Sequence, residues 1–297
     1  MKENFKKESP ILSLPSLGGG ANAPSVAGGG GGGQDEYTSH GTYTWTCPAG
    51  VTSVSVVCVG AGGTMAMGSY GTGGGSLAYK NNITVTPGQN YTIIVGQTNT
   101  SSNVQYANNS SAFGTVAYGG YTGAHTFYNQ SQGIGQNYDG GGQGGIGTTD
   151  YYSGTTGYQS GSGGGAGGYS GNGGNGANGT TAGGNGSGGG GGGGGHAQNP
   201  SKAAGGGGVG LQGEGSSGAG GLWSSTPADT VGHGGSGGTD SDQVDTTSLY
   251  AYGGEYGGGS GQINSFSSAN FSKQSGAVRI IYPGTDRQFP STRTADE

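Results

Sequence analysis

The chain reads as an all-β protein: a β framework carrying a large insertion of packed polyglycine-II helices, with essentially no α-helix. Three observations point there. Short runs alternate apolar and polar residues at the period of a half-buried strand. Glycine accounts for 80 of 297 residues. In part of the middle, glycine recurs every third residue, at Gly165, Gly168, Gly171 and Gly174 and again at Gly173, Gly176 and Gly179.

In chain order, residues 1–17 form an apolar and basic leader, interrupted by Pro10 and Pro15. It reads as a docking peptide centred on Ile11, Leu12, Leu14 and Leu17 and not as a cleaved signal. Residues 18–36 read as a flexible Gly/Ala/Ser linker. A domain is expected over 37–283, with a C-terminal tail at 284–297.

The first strand of the domain is marked by Tyr43, Trp45 and Cys47 alternating with Thr42, Thr44 and Thr46. A turn at Pro48-Ala49-Gly50 follows, read as a hairpin into a second strand. There Val54, Val56 and Cys58 take one face while Val57 and Val59 take the other, so this strand should be buried on both sides. Further strands are expected at 76–85, 90–96, 111–120 and 276–283, the last returning from the far end to close the framework. Cys47 and Cys58, the two cysteines, fall out of register for bonding and read as buried free thiols, in keeping with a reducing cytoplasm.

The span between, 121–275, holds most of the glycine. A helix of three residues per turn makes no internal hydrogen bonds, so its N–H and C=O groups need outside partners when buried. Without Cβ atoms, neighbouring backbones approach closely enough to supply them. The expected result is a sheaf with a hydrogen-bonded core. Disorder is the rival reading, because each glycine costs roughly 0.5–1 kcal/mol more to order than alanine. Against it stand 18 tyrosines and a net charge of only −6, since disordered chains are charge-rich and aromatic-poor. Collagen is excluded by 9 prolines and no sustained Gly-X-Y period.

Several functions are disfavoured. Nine Lys and Arg without a basic stripe offer nucleic acid little. No apolar run approaches the ~20 residues of a membrane span. Matches to G-x-G-x-x-G arise by chance in so much glycine. Ser, His and Asp occur without a nucleophile-elbow context, so no enzyme and no cofactor is expected. His40, His125, His196 and His233 lack metal spacing and read as exposed or turn residues. The best metal pattern is Asp240, Asp242 and Asp245, whose alternating carboxylates suit calcium but lack the glycine and distal glutamate of an EF-hand loop. Thr148, Thr149, Thr155 and Thr156 are not periodic, which disfavours an ice-binding face.

Tyrosine is more informative. Tyr118, Tyr121, Tyr128, Tyr138, Tyr151, Tyr152, Tyr158 and Tyr169 sit among Gly, Ser and Asn, as in adaptable recognition surfaces. The alternative, that the rings seal the glycine sheaf, stays open. Trp223 leans toward structure.

Two stretches, Trp45 to Gly63 and Val85 to Gly96, followed by glycine runs, resemble the glycine-rich domain of phage tail and fibre proteins. The closing Gly276 to Glu297 resembles C-termini of structural proteins of marine cyanobacterial phages. The resemblance covers roughly 40–297. It implies a β-sandwich with packed polyglycine helices, in a virion protein assembled in the host cytoplasm as tail adhesin, fibre tip or capsid decoration. Its leader would dock on other virion proteins, and a homo-oligomer, a trimer by analogy with virion fibres, is expected. As an adhesin it would meet a host surface glycan or envelope protein through Tyr121, Tyr128, Tyr138, Tyr151, Tyr152 and Tyr158. The alternative is an architectural capsid-decoration or tail-assembly piece without a receptor.

Overall fold

The computed structural model describes residues 32–64, 70–98, 106–121, 133–148, 150–151, 159–178, 180–197, 203–224, 226–242, 250–263 and 274–291. Among them there is no α-helix, and the chain is all-β. The framework strands are β1 (Gly33–Tyr37), β2 (Gly41–Thr46), β3 (Ser53–Val59), β4 (Leu77–Thr84), β5 (Asn90–Val95), β6 (Ser110–Ala112), β7 (Thr115–Ala117), β8 (Gly135–Gln136) and β9 (Gly140–Gly142). Short strands follow inside the glycine-rich part: β10 (Asp150–Tyr151), β11 (Gln159–Gly161), β12 (His196–Ala197), β13 (Trp223–Ser224), β14 (Tyr250–Ala251) and β15 (Gly261–Ile263). The last strand, β16 (Ala277–Tyr282), returns to the framework.

Two five-stranded sheets, β1-β16-β3-β4-β9 and β2-β5-β6-β7-β8, are antiparallel throughout. Trp45, Val54, Val56, Cys58, Ile93, Val278 and Ile280 from both sheets share one core. The opposite face of the first sheet presents Val57, Val59, Leu77 and Ile281 to Ala166, Tyr169, Val209 and Leu211 of the glycine-rich part. All seven residues of β3 are therefore buried, as its two-sided apolar pattern requires. Each face has its own partner layer.

Four expectations are corrected. Residues 48–50 do not close a hairpin: β2 pairs with β5, Trp45 opposite Tyr91, so the turn carries the chain from one sheet to the other. Both thiols are nonetheless free and buried. Residues 111–120 are not one strand, because Phe113 (φ 51°) and Gly114 (φ 81°) form a tight turn between β6 and β7. Positive φ at both central residues is what a twisted two-residue hairpin needs. The supposed linker contributes Gly33–Glu36 to β1, which pairs with β16 along its length. Nor is the stretch after Pro283 a free tail: Phe289 is buried against Tyr79 and Tyr169.

The glycine-rich part is held by its backbone. Within 163–168, Gly163 and Ala166 donate to Ala204 and Gly207, Gly164 and Gly167 to Thr72 and Gly75, and Gly165 and Gly168 to Gly174 and Gly171. Each neighbour thus recurs every third residue, not every second as in a strand. The same run accepts from Gly194 and Gly191, from Gly259 and from Gly145. Six neighbouring segments surround one run. Residues 190–195 behave alike, donating to Ser187 and Gly184, to Ala166 and Gly163, and to His233 and Thr230. The sequence series Gly165, Gly168, Gly171, Gly174 does not lie along one run; the chain reverses near 169–171, and the pairs face each other.

These approaches leave no room for a Cβ. A methyl group on Gly165 would overlap the Gly191 carbonyl oxygen, and one on Gly174 that of Gly184. At the turn glycine Gly50, by contrast, no atom lies within 4 Å. Asparagine appears at the margin of the lattice. Asn172 Oδ1 accepts from Gln143 N–H (3.0 Å) while Gly173 N–H donates to Gln143 C=O (2.9 Å). One turn on, Asn175 and Gly176 grip Ile146 in the same way, both at 2.9 Å.

Candidate recognition surface

The molecule has two dissimilar ends. Ser53 pairs with Thr84 at one end of β3 and Val59 with Leu77 at the other. Beyond Val59 the backbone continues as buried residues 60–64 and returns through 70–76. There Thr72 N–H donates to Ser260 C=O (3.0 Å) and Gly71 N–H to Thr148 C=O (2.9 Å). The four-stranded sheet β10-β11-β15-β14 and the pair β12-β13 lie at this, the open, end. The described residues flanking segments 65–69, 99–105, 152–158, 198–202, 243–249 and 264–273 are all found here. In sequence those segments are mostly Ser, Thr, Asn, Gln and aromatic residues, with charge only at Lys202, Asp245 and Lys273.

The opposite end is tight. Gly33 pairs with Tyr282, and Arg287 Nη1 donates to Gly33 C=O at 2.5 Å. Nearby, Trp45 Nε1 donates to Asp35 Oδ2 at 2.8 Å. Burial raises the Asp35 pKa above the ordinary carboxylate range, against the lowering effect of hydrogen bonds from Trp45 and Tyr282. Burial likewise pushes the Cys58 thiol to about 12, which removes it as a nucleophile at neutral pH.

Of the recognition candidates, Tyr121 is buried; its hydroxyl meets that of Tyr106 at 2.7 Å, with ring centroids 4.4 Å apart. Tyr138 is 39% exposed but follows β8 at the edge of the second sheet, away from the open end. Tyr151 is described only by its backbone, opposite Gln159. Tyr128, Tyr152 and Tyr158 lie outside the described residues, as do Ile11, Leu12, Leu14 and Leu17 of the leader. Tyr169 is fully buried, donates to Gly210 C=O (3.1 Å) and accepts from Gly213 N–H (3.2 Å); it seals the junction of sheet and lattice. Trp223 and Leu222, expected to be structural or not singled out, are exposed by 41% and 54% at the open end.

Asp240 is occupied by His233 Nδ1 (3.1 Å) and Gly234 N–H (2.8 Å). Asp242 follows it with its own N–H on Tyr252 C=O, and Asp245 lies outside the described residues. No group of three His, Cys, Asp or Glu able to hold a metal is found among the described residues. His196, expected to be exposed, is buried, its N–H on Leu222 C=O.

Compared with protein-family models and with curated proteins, the chain matches none. No helix among the described residues is long and apolar enough to cross a membrane.

Proposed function

We propose that the protein is a phage virion accessory protein, pegged by its leader and presenting the open end of its glycine body to the host surface. One observation carries the reading: the two ends differ in what they gather. The chain enters the described body at Gly32, beside Tyr282 and Arg287. At the other end lie the described residues that flank six segments rich, in sequence, in hydroxyl, carboxamide and aromatic groups. That division suits an object held at one end and read at the other. The resemblance to phage tail and fibre domains supplies the setting.

In this reading the glycine body is a bundle of polyglycine-II helices, supported by hydrogen-bond partners that recur every third residue on several sides. Such a bundle is a stiff platform without a large apolar core, and recognition favours loops on a stiff platform. An architectural role without a receptor is the second reading, favoured by the buried, hydrogen-bonded rings of Tyr121 and Tyr169.

The test uses the full chain and a variant lacking residues 1–31. The full chain should enter particles and, when purified and labelled, bind host cells saturably in competition with infection. The truncated chain should keep cell binding and lose incorporation. A folded protein that binds no host cell would leave the architectural reading; incorporation without the leader would sink the peg.

A further inference from the structure

We propose that a cleft on the flank of the glycine body binds a neutral sugar residue. It measures about 490 Å³ and is lined chiefly by Glu36, Leu211, Gln212, Thr239, Glu255 and Tyr256, a size in the usual range for small-molecule sites. Gly210, Gly237 and Gly238 form part of its wall, so backbone stands where side chains would otherwise fill the space. It lies where β1, the edge strand of the first sheet, meets the lattice, away from the open end; nothing in the inference rests on the attachment reading.

The polar lining accepts more than it donates. Gln212 Nε2 donates to Glu36 Oε1 at 2.7 Å and so holds that carboxylate at the wall of the cleft. Thr239 Oγ1 accepts from Glu255 N–H at 2.6 Å, and the Glu255 side chain is on an exposed residue. The fully buried Arg279 sets Nε 3.1 Å from Glu36 Oε1. That guanidinium is itself held by Gln34 and by Leu211 C=O, so it is not free to receive an anion. The ligand must therefore bring donors. Two carboxylates repel phosphate, sulfate or an acidic sugar. A metal ion is disfavoured because Glu36 Oε1 already accepts from Gln212 Nε2 and pairs with the Arg279 guanidinium. A hexose fits: its hydroxyls donate to Glu255 and to Glu36, whose carboxylate Gln212 holds in place, while Leu211 and the half-buried Tyr256 offer an apolar wall for its C–H face.

The test is saturation-transfer NMR and calorimetry on the full chain with glucose, galactose, mannose and N-acetylglucosamine, using sialyllactose as the anionic control. The expected result is saturable binding of at least one neutral sugar, weakened about tenfold or more in Glu255→Ala and in Gln212→Ala, each checked for unchanged circular dichroism. Absence of binding at millimolar neutral sugar, preference for sialyllactose, or binding untouched by both substitutions overturns the site. Host-cell binding through the open end would survive that failure, because Glu255→Ala leaves the open end intact.

Discussion

The two sheets and the glycine body solve one problem with opposite means. Between the sheets, Trp45, Ile93, Val278 and Ile280 exclude water with large side chains. In the body, residues 163–168 and 189–195 are just as buried but carry almost no side chain, and their partners are carbonyls and amides of neighbouring runs. The lesson is that ordering a backbone can be offset either by apolar area or by dense, hydrogen-bonded backbone contact. The second route demands glycine wherever runs meet. The two regions join where Ala166, Tyr169, Val209 and Leu211 supply side chains to the outer face of the first sheet.

Single substitutions should sort by region. The largest loss is expected for Trp45→Ala, which empties the shared core and frees the Asp35 carboxylate from its indole: about 3–5 kcal/mol, read as a shift of the denaturant midpoint. Next comes Gly165→Ala, whose methyl meets the Gly191 carbonyl; about 1–3 kcal/mol is expected from overpacking. A neutral Gly165→Ala would break the comparison, because the body would then be loosely packed. Asn175→Leu removes the acceptor for Ile146 N–H and should cost about 1–2 kcal/mol, with faster amide exchange at Ile146 and little change in the sheets. The smallest effect belongs to Gly50→Ala. There φ is +82° and no atom lies within 4 Å, so only the backbone penalty of about 1 kcal/mol remains.

Much of the sheet framework was legible in the chain. Alternation marked β2, and the double-sided valines of β3 announced burial on both faces. Pairing was not legible, since a Pro-Ala-Gly turn has the same composition whether it closes a hairpin or crosses between sheets. β1 was hidden because Gly33 to Glu36 carry no apolar alternation; Asp35 and Arg279 enter the interior as paired polar groups instead. In the glycine body the three-residue period was visible, but not which run meets which, as glycine carries no label. The asparagines at 172 and 175, which mark its margin, were not singled out in the sequence, because their role rests on contacts with Gln143 and Ile146. Of the recognition residues, Tyr121 looked exposed by its small polar neighbours. Those neighbours are small because backbone packs there, and the same packing buries the ring. The acceptor cleft could not be read, since Glu36, Gln212 and Glu255 come from distant parts of the chain.

The backbone core of the glycine body also bears on temperature. Heat capacity rises when apolar surface meets water and falls when polar surface does. Melting the sheets exposes valine, isoleucine and tryptophan; melting the lattice exposes mostly peptide groups. The lattice should therefore unfold with a small heat-capacity change per residue and a nearly flat stability curve. Its cohesion would fade little on cooling, when the hydrophobic contribution to the sheets weakens, so the half of the molecule with the least hydrocarbon is the half least troubled by cold.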